Sequence, residues 1–128
     1  MPRILVIDDD PAVRENVATY LRRLGHEVFE APDGLRGFEI LGSRSVELVV
    51  TDINMPDMDG IEVIDRLREA TDGCPVIAMS GGGLFAKDLL LDNAEMLGAV
   101  STLAKPFDLD DLRVAVEAAL ARPRHGES

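Results

Sequence analysis

Five times along the chain a short apolar or β-branched run gives way to a stretch with helical periodicity. Residues 3–7, 26–31, 46–51, 75–79 and 99–104 are each too short for a stable helix and read as strands. The first helix opens at Asp10-Pro11, an N-cap acid followed by proline at the first helical position. Val13, Val17, Tyr20, Leu21 and Leu24 recur on one face, and Gly25 closes it. Asp33 caps a second helix with the stripe Leu35, Phe38 and Leu41, widened by Ile40. A third spans residues 61–70, with Ile61, Ile64 and Leu67 inward, and a fourth spans residues 85–97, ended by Gly98. The fifth covers residues 108–122, with Leu109, Leu112, Val116 and Leu120 inward. Parallel strands need helical crossovers, and those crossovers bury both faces of the sheet. The expectation is therefore an α/β fold, a doubly wound five-stranded parallel sheet with five helices.

Length and composition narrow the function classes. A chain of 128 residues suits one core, and nothing in its composition marks a second domain, so residues 1–122 read as one unit and 123–128 as a short polar tail. No apolar run approaches a bilayer span, and the N-terminus turns acidic after its first strand, unlike a signal peptide. A single cysteine, Cys74, fits a reducing cytosol and a buried structural role, and the expected location is cytoplasmic. The formal net charge of −11, with 4% aromatic residues and no tryptophan, argues against nucleic acid and anionic membranes as partners.

In a doubly wound sheet, ligands bind beyond the carboxyl ends of the strands. The residues that follow those ends are charged or polar: Asp8, Asp9 and Asp10 after the first strand, Asp52 after the third, Ser80 after the fourth, and Lys105 with Pro106 after the fifth. Two carboxylates about 5 Å apart repel by roughly 3 kcal/mol at an effective dielectric near 20, so such a cluster calls for a cation. Mg²⁺ suits it, since this ion takes oxygen ligands, including one or two carboxylates. Asp10 is accounted for as a helix cap, and Asp57 and Asp59 as turn formers. His26 and His125 lie at a strand start and in the tail, away from this edge.

The set IDDD, TDINMPDMDG, MSG and AKPF, in this order and spacing, resembles the receiver domain of two-component response regulators, the stand-alone chemotaxis regulator among them. The likeness runs from Ile4 to about Ala121. It implies the flavodoxin-like strand order 2-1-3-4-5 and a phospho-accepting switch rather than an enzyme. It also implies Asp52 as the phosphoacceptor, with Mg²⁺ as cofactor on Asp9, Asp52 and the backbone carbonyl of Asn54, and Asp8 holding a metal-bound water. Ser80 and Lys105 would meet the phosphoryl oxygens, and Lys105-Pro106 would be a cis peptide. The implied partners are a histidine kinase or histidine phosphotransfer protein and a downstream protein target, with no nucleic acid and no membrane.

Two positions depart from the family pattern. Thr102 stands where a switching Tyr or Phe is usual, and the triplet Gly81-Gly82-Gly83 lengthens the segment after Ser80. Signalling is therefore expected to run through residues 81–97, where Leu89, Leu90 and Leu91 cannot all face inward. Two other readings are weaker. Phosphatases of the haloacid dehalogenase type need a second acid two positions after the nucleophile, and here that residue is Asn54. A flavodoxin-like flavin carrier would set this cluster of acids against its ligand's phosphate.

Overall fold

As far as residue 52, extended and helical stretches alternate as the periodicity predicts. The computed structural model describes residues 2–52, 54, 55, 58, 59, 66, 69, 74–80, 101–104 and 107–121. β1 (Arg3–Ile7) leads into α1 (Pro11–Arg23), followed by β2 (Glu27–Ala31), α2 (Gly34–Ser43) and β3 (Leu48–Asp52). Two short strands, β4 (Asn54–Met55) and β5 (Met58–Asp59), come next, then β6 (Val76–Ser80), β7 (Ser101–Ala104) and α3 (Leu109–Ala121). The main sheet has the order β2-β1-β3-β6-β7 with every pair parallel. Numbered by its own five strands, this is the expected 2-1-3-4-5.

Three helices lie among the described residues. Of the third expected helix, only Arg66 and Glu69 are described, both helical and exposed. The fourth expected helix, the glycine triplet, the Lys105-Pro106 bond and the polar tail lie outside the described residues.

Alternation along the strands divides the core. Leu5, Ile7, Val49, Val76 and Ala78 pack with Ile40 of α2 on one face. Ile4, Val6, Val50, Ile77 and Met79 pack with Val17 and Leu21 of α1 and with Leu112 and Val116 of α3 on the other. Cys74 is buried in the first of these clusters. No helix among the described residues is long and apolar enough to cross a membrane.

The helix ends follow local chemistry. The Asp10 carboxylate accepts hydrogen bonds from the amides of Ala12 (2.9 Å) and Val13 (3.4 Å), capping α1. Gly25, at φ +99°, turns the chain out of that helix in a conformation that side-chain-bearing residues seldom adopt. Asp33 caps α2 through the amide of Arg36 at 2.8 Å.

The stripe on α2 differs from the expected one. Leu35 is 60% exposed, whereas Gly34, Gly37 and Ile40 are buried, with Phe38 and Leu41 packed at the margin. The reason is a close approach. A Cβ on Gly37 would lie 2.6 Å from Cδ1 and 3.2 Å from Cγ1 of Ile7, the fully buried residue just before Asp8. The helix meets the sheet through glycine, and the rotation that permits this turns Leu35 to solvent. Leu24 and Leu109, at the ends of the other two stripes, are likewise 38% and 41% exposed.

Gly37→Ala should therefore lower stability. Overpacking of about 1–3 kcal/mol outweighs a helix-propensity gain of at most ~1 kcal/mol. Gly42→Ala on the same helix meets nothing within 4 Å and should raise stability by about 0.5–1 kcal/mol. Thermal unfolding of the two variants should show melting temperatures shifted in opposite directions.

Candidate functional site

The sheet register builds the site. Ile7 pairs with Thr51 and Thr51 with Ala78, so the next residues of β1 and β3, Asp8 and Asp52, emerge side by side at the carboxyl edge. Asp8 is fully buried, Asp52 is 4% exposed, and Asp9 is exposed. One carboxylate oxygen from each of Asp8, Asp9 and Asp52 lies within 4.8 Å of the others. Burying acids in this way is costly unless opposite charge or hydrogen-bond donors meet them.

Asp8 is held firmly. Its amide donates to the carbonyl of Ala31 at 3.1 Å, and its Oδ1 accepts from the amide of Asp10 at 2.9 Å. Its carbonyl accepts from Nη1 of Arg14, also at 2.9 Å. Below Asp52, the buried hydroxyl of Thr51 donates to the Asp52 carbonyl at 3.1 Å.

Sequence reasoning had no signal for Arg14. It lies four positions after the cap Asp10, and its contact with Asp8 depends on how α1 docks against β1. Nor did it foresee the ribbon after Asp52. There Asn54 pairs with Asp59 and Met55 with Met58, antiparallel, while Asp57 lies outside the described residues. The ribbon sets the backbone of Asn54 close after Asp52, and Asp59 is one of its strand residues.

Ser80 ends β6 and pairs with Ala104, one position beyond the Asp52–Met79 pair. Its backbone thus stands at the same edge of the sheet as the acids. Lys105 follows Ala104 directly in the chain and lies outside the described residues. Thr102 sits within β7, half-buried and paired with Ala78.

The donor set suits a hard divalent cation. It offers only oxygen, and three carboxylates close enough to share one ion supply the negative charge such an ion needs. Softer metals favour the nitrogen and sulfur ligands that this cluster lacks.

Comparison with known proteins agrees with this geometry. The response regulator receiver domain family matches residues 4–117. Sporulation initiation phosphotransferase F of Bacillus subtilis (strain 168) is 34% identical over 115 residues, which is 90% of each chain. The DNA-binding dual master transcriptional regulator RpaA of Synechocystis is 36% identical over 124 residues, covering 95% of this chain and 50% of that protein. This chain therefore spans nearly all of the first relative and only half the length of the second. Among solved structures, the receiver domain of NtrX from Brucella abortus superposes with a TM-score of 0.86 at 31% identity, covering 94% of this chain and 99% of that one. Receiver domains are signalling switches whose acidic pocket binds Mg²⁺. The parallel sheet, the cluster of acids at its carboxyl edge and the match over most of the chain lead to one conclusion: this protein belongs to the response regulator receiver domain family, which signals by phosphorylation in two-component systems.

Proposed function

We propose that this receiver accepts a phosphoryl group on Asp52 from a histidine kinase or histidine phosphotransfer protein and, once phosphorylated, changes its affinity for a downstream protein. The observation that carries this reading is the cluster of Asp8, Asp9 and Asp52 at the carboxyl edge of the sheet. In the reaction, a carboxylate oxygen of Asp52 attacks phosphorus in line with the donor imidazole. The new O–P bond forms as the P–N bond breaks, and the electron pair of that bond leaves with the imidazole nitrogen.

Asp9, Asp52 and the backbone carbonyl of Asn54 would hold Mg²⁺, with Asp8 acting through a bound water. Bound there, the ion offsets the repulsion among the acids and the charge gathering on the phosphoryl oxygens. The Ser80 hydroxyl and the Lys105 ammonium serve the remaining phosphoryl oxygens. The protein acts as a switch, and its catalysis is limited to its own phosphorylation and dephosphorylation.

The phosphoryl-accepting reading draws support from the likeness to the sporulation phosphotransferase, whose name fits transfer of a phosphoryl group. The net charge of −11 favours proteins over nucleic acid or membrane as partners of this domain. A cytoplasmic location agrees with the single buried cysteine.

Acetyl phosphate with Mg²⁺ should add a single phosphoryl group, seen by intact mass, and chelation with EDTA beforehand should prevent it. Labelling that is indifferent to EDTA, or no labelling with Mg²⁺ present, contradicts the proposal.

A further inference from the structure

We propose that Arg14 is a positioning residue for the acidic pocket, holding from behind the peptide that joins Asp8 to Asp9; this rests on the metal-binding reading above. The Arg14 guanidinium reaches in two directions. Its Nη1 donates to the Asp8 carbonyl at 2.9 Å, and its Nε lies 3.5 Å from Oε1 of Glu30 on β2. Glu30 is in turn shared: its Oε2 lies 3.2 Å from Nη1 of Arg22, whose Nη2 donates to the Val28 carbonyl at 3.0 Å. Two arginines of α1 are thus tied to the edge strand through one carboxylate, and one of them extends on to the site.

The carbonyl that Arg14 holds belongs to the Asp8–Asp9 peptide. Fixing that oxygen fixes the plane from which Asp9 departs, while the Asp10 amide fixes Oδ1 of Asp8. The Arg14 side chain is only 18% exposed and Glu30 26%, so this pair is better shielded than an ordinary surface ion pair. Arginine suits the position because its planar fork serves two acceptors at fixed angles, which a lysine ammonium on a flexible stem does not reproduce.

For Arg14→Met, charge and positioning predict opposite outcomes. A cation beside the pocket repels Mg²⁺, so on charge alone Arg14→Met would tighten Mg²⁺ binding. As a positioning residue, its loss weakens binding, by about tenfold, as for partners that orient a metal's ligands from behind. Arg14→Lys keeps the charge and loses the fork, so it should also weaken binding. Glu30→Ala, which leaves the contact with Asp8 but removes its anchor, should do so to a smaller extent.

The test is Mg²⁺ titration by calorimetry of the full chain and these three variants, with metal-free thermal unfolding alongside. Phosphorylation rates with acetyl phosphate are then read at low and saturating Mg²⁺. Weaker Mg²⁺ binding in all three variants, with the rate largely restored at saturating Mg²⁺, supports the proposal. Unchanged or tighter binding in Arg14→Met overturns it, even if that variant melts earlier. If Arg14→Met does not fold, Arg14→Lys decides alone, and wild-type affinity in it overturns the proposal. Failure of the unaltered protein to bind Mg²⁺ would instead count against the receiver chemistry itself.

Discussion

Asp9→Ala should weaken Mg²⁺ binding by on the order of a hundredfold, at or beyond what is typical for losing a partner behind a ligand. Asp9 is the exposed member of the three-acid cluster and faces the solvent from which an ion arrives. On the proposed site, removing it would take away a direct oxygen and one negative charge, and Mg²⁺ gives up its hydration reluctantly for a depleted ligand set. Asp110→Asn provides the control for net charge. That residue lies on α3, paired with Arg113 at 2.8 Å, and the substitution should leave Mg²⁺ affinity unchanged. Calorimetric titration of both variants checks the expectation, and wild-type affinity in Asp9→Ala would show that the cluster does not hold the ion.

Asp52→Asn should make the metal-free protein more stable while removing its function. Asp52 is nearly buried, and its carboxylate lies within 4.8 Å of those of Asp8 and Asp9. Each such pair costs about 3 kcal/mol at an effective dielectric near 20 if uncompensated, and surrounding donors reduce this. Neutralising one member is expected to yield a net gain of about 1–3 kcal/mol in EDTA, read from urea unfolding. Mg²⁺ should narrow the difference, because ligand binding stabilises the native state by an amount that grows with the logarithm of affinity and the unaltered protein is expected to bind the ion better. A variant less stable than the unaltered protein in EDTA would mean that the acids are not in mutual repulsion.

The parallel sheet was legible because its signals are local. Capped helices and short apolar runs alternate, and parallel strands accept few other arrangements. β1 begins and ends where its apolar run does, and the cap residues Asp10 and Asp33 stand where expected. The gathering of Asp8, Asp9 and Asp52 follows from the strand ends alone, because all strand ends of a parallel sheet share one edge.

What escaped depends on contacts between elements. Gly37 has no side chain to mark it as inward, so a hydrophobic stripe assigns Leu35 the place that glycine takes against Ile7. Arg14, Glu30 and Arg22 look like ordinary surface charges in sequence, and only the docking of α1 beside β2 joins them. The antiparallel pairing of Asn54–Met55 with Met58–Asp59 lies in so short a segment that turn chemistry masks it. For Ser80 the backbone register places the residue at the sheet edge, and Asn54 lies in the short ribbon that follows Asp52; the roles of both rest on the proposed chemistry.

The central claim is that the phosphoryl group is carried by Asp52. Borohydride reduces an aspartyl phosphate to homoserine and leaves free carboxylates untouched, so it marks the acceptor position covalently. The protein treated with acetyl phosphate and Mg²⁺, reduced, and sequenced by mass spectrometry should show homoserine at position 52 and at no other aspartate, and Asp52→Asn should show none. Homoserine at Asp8 or Asp9, or undiminished labelling of Asp52→Asn, would contradict the account.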